Sequence, residues 1–332
     1  MTQPFNHRRR TLLKGTATLA LSAPFSTTLA EESYPSRSVT VISPFPAGGS
    51  GDIITRFYAR HLSESLKQTF VVENRPGANG MIGMTAAARA KPDGYTLLHT
   101  YDGSFSVAPA VSEIPVEPLQ DYTPLGMMGQ LSMILAAHPS FPANTMQEAV
   151  DEIRRRPNAI DYASAGAGSS LHILMEMFLK QIGGSMTMIP FSGTAPAVNA
   201  VLGGHVPMTL CGILTALPHI RAGKMKVYGF AGDERHPSLP DVPTFKESGI
   251  DFKARVWQGL FAPAGIPADI AQTLSDRIWK ISTSKLFLEE FAMPNGYDPT
   301  IIPPDRFPAF LREDRQRYEA AVAALNLAKI AQ

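Results

Sequence analysis

Three stretches of the chain set glycines and hydroxyls between a short apolar run and an amphipathic one. They are Phe45-Pro46-Ala47-Gly48-Gly49-Ser50-Gly51-Asp52, Ser164-Ala165-Gly166-Ala167-Gly168-Ser169-Ser170 and Phe191-Ser192-Gly193-Thr194-Ala195. Glycine lets the backbone turn sharply and present successive N–H groups, and a helix starting just beyond adds the positive end of its dipole. Such a junction cradles an anion, and serine or threonine hydroxyls supply further donors. Neither G-x-G-x-x-G nor the Walker Lys-Ser/Thr pair is present, so a compact carboxylate suits these loops better than a nucleotide phosphate. Each stretch alone also fits a capped structural turn; three in one chain point to a site. The candidates are Phe45, Ala47, Gly48, Gly49 and Ser50, then Ser164, Gly168, Ser169 and Ser170, then Phe191 and Thr194. Asp52 is expected to cap its helix, because a carboxylate beside a bound anion would repel it.

Other chemistry is weakly signalled. Ser169 or Ser170 with His172 invites comparison with a hydrolase, but no loop reads G-x-S-x-G, and a histidine in a first helical turn is more often structural. The eight histidines show no paired metal-ligand spacing, and no metal or cofactor is expected. Cys211 is the single cysteine, so no internal disulfide forms, and it is expected to be buried. Trp257 and the methionines 127, 128, 133, 175, 177, 186 and 188 read as core. The run Arg312-Glu313-Asp314-Arg315-Gln316-Arg317 reads as a solvated helix face.

The elements that must carry these loops alternate in type, as in an α/β protein. Strands are expected at 39–45, 70–73, 96–99, 160–163, 186–190, 206–210, 226–230 and 255–262. Helices are expected at 52–67, ending at 86–90, and at 147–155, 171–181, 195–202, 268–282 and 304–325. Prolines fall mostly between these segments. No internal repeat is evident.

The first thirty residues read as an export signal rather than as fold. Arg8-Arg9-Arg10-Thr11-Leu12-Leu13-Lys14, a mild apolar run and Thr28-Leu29-Ala30 fit a twin-arginine leader cleaved after about Ala30. Its removal takes four of the 30 basic residues and none of the 29 acidic ones, leaving 26 against 29 and a net charge of −3. Such a balance gives no electrostatic reason to bind nucleic acid. No later stretch is long and apolar enough for a transmembrane helix.

Six stretches together resemble the substrate-binding receptors of tripartite tricarboxylate transporters, the Bug receptors. They are Pro44-Phe45-Pro46-Ala47-Gly48-Gly49 with Asp52, Val71-Val72-Glu73-Asn74-Arg75-Pro76-Gly77-Ala78, Pro92-Asp93-Gly94-Tyr95-Thr96-Leu97-Leu98, Ser164-Ala165-Gly166-Ala167-Gly168-Ser169, Leu239-Pro240-Asp241-Val242-Pro243-Thr244 and Trp257-Gln258-Gly259-Leu260-Phe261-Ala262-Pro263. The resemblance runs from Tyr34 to the final helix. It implies a type II periplasmic-binding-protein fold: two α/β lobes around a ligand cleft, joined by a two-stranded hinge. Lobe 1 would be residues 31–133 and 258–332, and lobe 2 residues 134–257. It further implies a periplasmic monomer that is not an enzyme, with a small carboxylate as ligand and integral membrane transporter subunits as partners. The carboxylate would be held by amides and hydroxyls of the loops at 45–50 and 164–170, with Arg75 as a structural pairing residue. A sensor that touches a signalling protein is the alternative within this fold. The chain departs from the family at Gly51, at Phe191-Ser192 where Tyr-Lys is usual, at the Tyr101-Asp102-Gly103-Ser104-Phe105 loop and at Cys211-Gly212. Loss of a phenol and an ammonium near Phe191 predicts a less polar acid than citrate, aromatic or long-chain.

Overall fold

The computed structural model describes residues 34–48, 50–298, 301–325 and 327. The expected export signal, its cleavage point near Ala30, and Gly49 lie outside the described residues, as does the side chain of Ser50. The strands are β1 (Val39–Ser43), β2 (Phe70–Asn74), β3 (Thr96–Tyr101), β4 (Tyr122–Ala137), β5 (Asp161–Ser164), β6 (Thr187–Pro190), β7 (Met208–Gly212), β8 (Lys226–Phe230), β9 (Arg255–Pro263) and β10 (Tyr297–Asp298). The helices are α1 (Ser50–Leu66), α2 (Met81–Ala88), α3 (Ala108–Val111), α4 (Pro118–Asp121), α5 (Met146–Arg155), α6 (Ser170–Ile182), α7 (Thr194–Leu202), α8 (Ile213–Arg221), α9 (Ala268–Ser282) and α10 (Phe307–Ala324). A wider helical turn, Gly103–Val107, leads into α3.

The strands line up as β2-β1-β3-β9-β4-β7-β5-β6. Two parallel triplets, β2-β1-β3 and β7-β5-β6, flank the antiparallel pair β9 and β4. Short β-branched and aromatic runs such as Val39-Thr-Val-Ile and Phe70-Val-Val suit strands buried by crossover helices. β4 is long because it serves both sheets. Tyr122 to Ser132 pair with β9 in the first, and Met133 to Ala137 pair with β7 in the second. β4 was not expected as a strand. Pro124, Gly126 and Gly129 interrupt its pattern, and its ladder with β9 shifts register between 124 and 126 and between 127 and 129, where bulges absorb the irregular residues.

Register fixes where the strands aim. Tyr101, at the end of β3, lies opposite Gln258, which lies opposite Gly129 of β4. Gly212, at the end of β7, lies opposite Met133 of β4. The carboxyl ends of both triplets therefore point at each other across residues 129–133. Ligands of open α/β sheets bind beyond such strand ends.

The core expectations hold. Trp257 is buried among Phe105, Phe261, Phe307 and Phe310, and all seven named methionines are buried or packed against the core. Cys211 is buried inside β7, which pushes its thiol up to about 12. The charge run on α10 corrects the expectation of a solvated face. Asp314 is buried, accepts the Trp257 indole N–H at 2.7 Å and takes a second bond from Arg317 at 2.6 Å. Its carboxylate sits one turn before the buried Tyr318, on the stripe of α10 that faces inward. Among the described residues no helix is long and apolar enough to cross a membrane.

Candidate functional site

Each of the three expected junctions sits at the carboxyl end of a parallel strand. The loop that begins at Pro44 follows β1, the loop 165–169 joins β5 to α6, and Phe191 to Gly193 join β6 to α7. A fourth segment, Tyr101-Asp102-Gly103, follows β3.

The first loop is braced from behind. Asp52 is buried and accepts from the Gly48 amide at 2.9 Å, Arg56 Nε at 2.9 Å and Asn74 Nδ2 at 2.7 Å. Burial pushes this carboxyl up, but Arg56, the Gly48 amide and Asn74 outweigh it and hold it below its ordinary value. Asp52 is not the N-cap its sequence position suggested, because α1 begins at Ser50: it is the third residue of the helix, and its carboxylate reaches back to the Gly48 amide. Asn74 also donates to the Phe45 carbonyl at 3.0 Å, a role the sequence reading missed. The Phe45 ring lies over His99 and Tyr101, with centroids 5.1 and 5.0 Å away. His99 is buried between Thr55 at 2.6 Å and Gln258 at 3.0 Å, and burial pushes its imidazole down to about 3. Arg75 pairs with Glu73 at 2.7 Å.

The second loop follows the same logic. Ser169 caps α6 by accepting the His172 amide at 3.3 Å, and its hydroxyl donates to the Gly166 carbonyl at 2.8 Å. The Gly168 amide donates to His172 Nδ1 at 3.1 Å, and burial pushes that imidazole below its ordinary value. The expected amide donors Gly48 and Gly168 are therefore satisfied inside their own loops. Their neighbours are not. Among the described residues the amides of Ala47, Gly166, Ala167 and Gly193 meet no acceptor. Unpaired donors at one strand-end crevice are the groups an anion seeks.

The two sheets touch at this crevice. Ser170 Oγ, opening α6, donates to Asp102 Oδ1 at 3.0 Å, and Tyr318 of α10 donates to Asp102 Oδ2 at 2.7 Å. A Cβ at Gly103 would lie 2.9 Å from Ser170 Oγ. Ser164 Oγ lies 3.4 Å from Ser169 Oγ, and the Phe191 carbonyl faces Gly166. Phe45, Tyr101, Ser170, Ser169, Ser164 and Phe191 thus form one chain of neighbours. Phe191 is half-buried and Thr194 opens α7. Asp102 was noted in the sequence only as an unusual loop residue. Its partners lie 68 and 216 residues away, so no local pattern could disclose them. Among the described residues no group of three or more His, Cys, Asp or Glu side chains could hold a metal.

Gly166 has φ +121°, a conformation L-residues avoid, and a Cβ there would stand 3.4 Å from the Phe191 carbonyl. Gly166→Ala is expected to lower the unfolding free energy by about 1–3 kcal/mol, checked by urea denaturation. Gly212 has an ordinary backbone and only the Met133 methyl within 4 Å. Gly212→Ala is the control, expected to change stability by less than about 0.5 kcal/mol.

Two α/β layers joined by paired strands, with carboxyl ends facing one crevice, define the two-lobed fold of periplasmic binding proteins. Residues 54–327 match the model of the tripartite tricarboxylate transporter family receptor, and the chain belongs to that family. It is 35% identical over 310 residues to the protein BugT of Bordetella pertussis, covering 92% of this chain and 93% of that one. Rpa4515 of R. palustris, solved with adipate, superposes with a TM-score of 0.83 at 26% identity, covering 90% of this chain and all of that one. MatC of Rhodopseudomonas palustris, with bound malate, superposes with a TM-score of 0.77 at 30% identity, over 87% of this chain and all of that one.

Proposed function

We propose that this protein is a periplasmic solute receptor that captures a small carboxylic acid in the crevice between its lobes and delivers it to membrane subunits of a tripartite tricarboxylate-type transporter. The leading support is the facing carboxyl ends of the two parallel triplets, with unpaired amides from both sides. Adipate and malate in structural neighbours are small dicarboxylates of matching chemistry. The basic segment at Arg8-Arg9-Arg10 directs export, with cleavage after about Ala30. Lobe 1, residues 31–133 and 258–332, and lobe 2, residues 134–257, close over the acid as a monomer, bending at β4 and β9. The carboxylate rests on the free amides of Ala47, Gly166 and Ala167, in cradles shaped by Gly48, Gly49 and Ser50 on one side and by Ser164, Gly168, Ser169 and Ser170 on the other. Phe45, Phe191 and Thr194 line the remainder. No bond is made or broken. The Ser169 hydroxyl is bonded to Gly166 and His172 Nδ1 to the Gly168 amide, so they do not form a nucleophile–base pair.

Phe191 offers a ring rather than a charge, which favours an aromatic or longer-chain acid over citrate. Calorimetric titration is expected to show binding of adipate and of an aromatic acid, with citrate weaker. Tight citrate binding with no aromatic binding overturns that preference, and no binding of any acid overturns the receptor reading. Ser169→Ala is expected to weaken acid binding without revealing any turnover to lose.

A further inference from the structure

Gly51 occupies the first turn of α1, where glycine is costlier than alanine by about 0.5–1 kcal/mol. Its backbone does not demand glycine, because its φ lies outside the left-handed region. What demands it is a ring. A Cβ at position 51 would stand 2.3 Å from Phe45 Cδ2 and 2.6 Å from Cγ and Cε2, far inside contact distance. The ring cannot yield by sinking. Beneath it lie His99, pinned between Thr55 and Gln258, and Tyr101, whose backbone is laddered to β9. Thr55 in turn donates to the Gly51 carbonyl at 2.6 Å, tying helix, histidine and glycine into one floor. The remaining room lies on the strand-end side, because Phe45 stands just beyond the carboxyl end of β1.

We infer that Gly51 is a specificity-determining residue: its missing side chain lets the Phe45 ring lie flat, and this sets the depth of the apolar end of the acid site. The inference rests on the receptor reading for its ligand consequence, but its steric part stands alone. With the ring flat, the site admits an acid with a bulky apolar body. With any side chain at 51 the ring swings out and only slim acids fit.

The test has two arms. In the first, thermal unfolding is followed for Gly51→Ala, Phe45→Ala and the double variant, without ligand. Gly51→Ala is expected to lower Tm in the wild-type background but to leave it unchanged or raise it in the Phe45→Ala background, since the clash is gone and the helix propensity remains. Equal effects in both backgrounds overturn the inference. In the second, 4-phenylbutyrate and succinate are titrated into wild type and Gly51→Ala. The variant is expected to lose at least about tenfold in affinity for 4-phenylbutyrate while succinate changes little. Equal losses for both acids overturn the inference. If neither acid binds the wild type, the ligand consequence is overturned while the receptor reading still turns on the wider acid titration above, and the stability cycle decides whether Gly51 controls the ring.

Discussion

Trp257→Ala is expected to lower the unfolding free energy by about 3–5 kcal/mol, enough to leave a marginal protein partly unfolded. The indole is about 1% exposed and packs edge-on against Phe105, Phe307 and Phe310. Its removal opens a cavity under α10 and strips the buried Asp314 of its 2.7 Å indole partner. Trp257→Phe separates these effects. It retains most of the packing and removes only the donor, so about 1–3 kcal/mol is expected. Trp279 remains in both variants, so far-ultraviolet circular dichroism in a urea series is the cleaner readout. A loss below about 1 kcal/mol for the alanine variant would show that the cavity collapses or fills.

Asp102→Leu is expected to weaken acid binding at least about tenfold, because it leaves the Ser170 and Tyr318 hydroxyls without their acceptor where the two sheets touch. Small-angle scattering with and without acid should then show a larger share of open molecules. The pH dependence carries a sign. Burial, and next the charge of Asp314, push the Asp102 carboxyl up to about 7 from an ordinary 3.8. A carboxyl raised on folding contributes stability that is fully present below its ordinary value and is lost as pH rises through about 7. The unfolding free energy of the wild type is therefore expected to fall between pH 5 and pH 8 relative to Asp102→Asn, which cannot titrate there, as read by urea denaturation at each pH. His99 and His172, whose imidazoles burial pushes down, oppose this trend at acid pH. They do so equally in both proteins, so the difference isolates Asp102. Parallel pH profiles for the two proteins would refute the assignment.

Strands such as 39–43 and 96–101 were legible because compact apolar runs end at proline or glycine, and α6 because Ser169 stands where a cap belongs. β4 was not legible: its proline and glycines are absorbed in bulges, and both its faces are covered, so no alternation marks it. α8 was hidden by Pro218, which lies inside it. The loops of the site were visible as glycine clusters, but the identity of their unoccupied donors was not. Which amide is free depends on where Asp52 and His172 point. The bridge through Asp102 joins residues from three distant segments and exists only once the chain is folded.

The path of β4 and β9 has a bearing on how such receptors diversify. The chain leaves the first sheet at Ser132 and returns at Arg255, and these two residues are ladder partners. Everything between them enters and exits through adjacent doors, so the whole segment behaves as a graft on an otherwise continuous host. Recombination at those two points could exchange residues 133–254 among relatives while the rest of the chain, with Phe45 and Asp102, stayed in place.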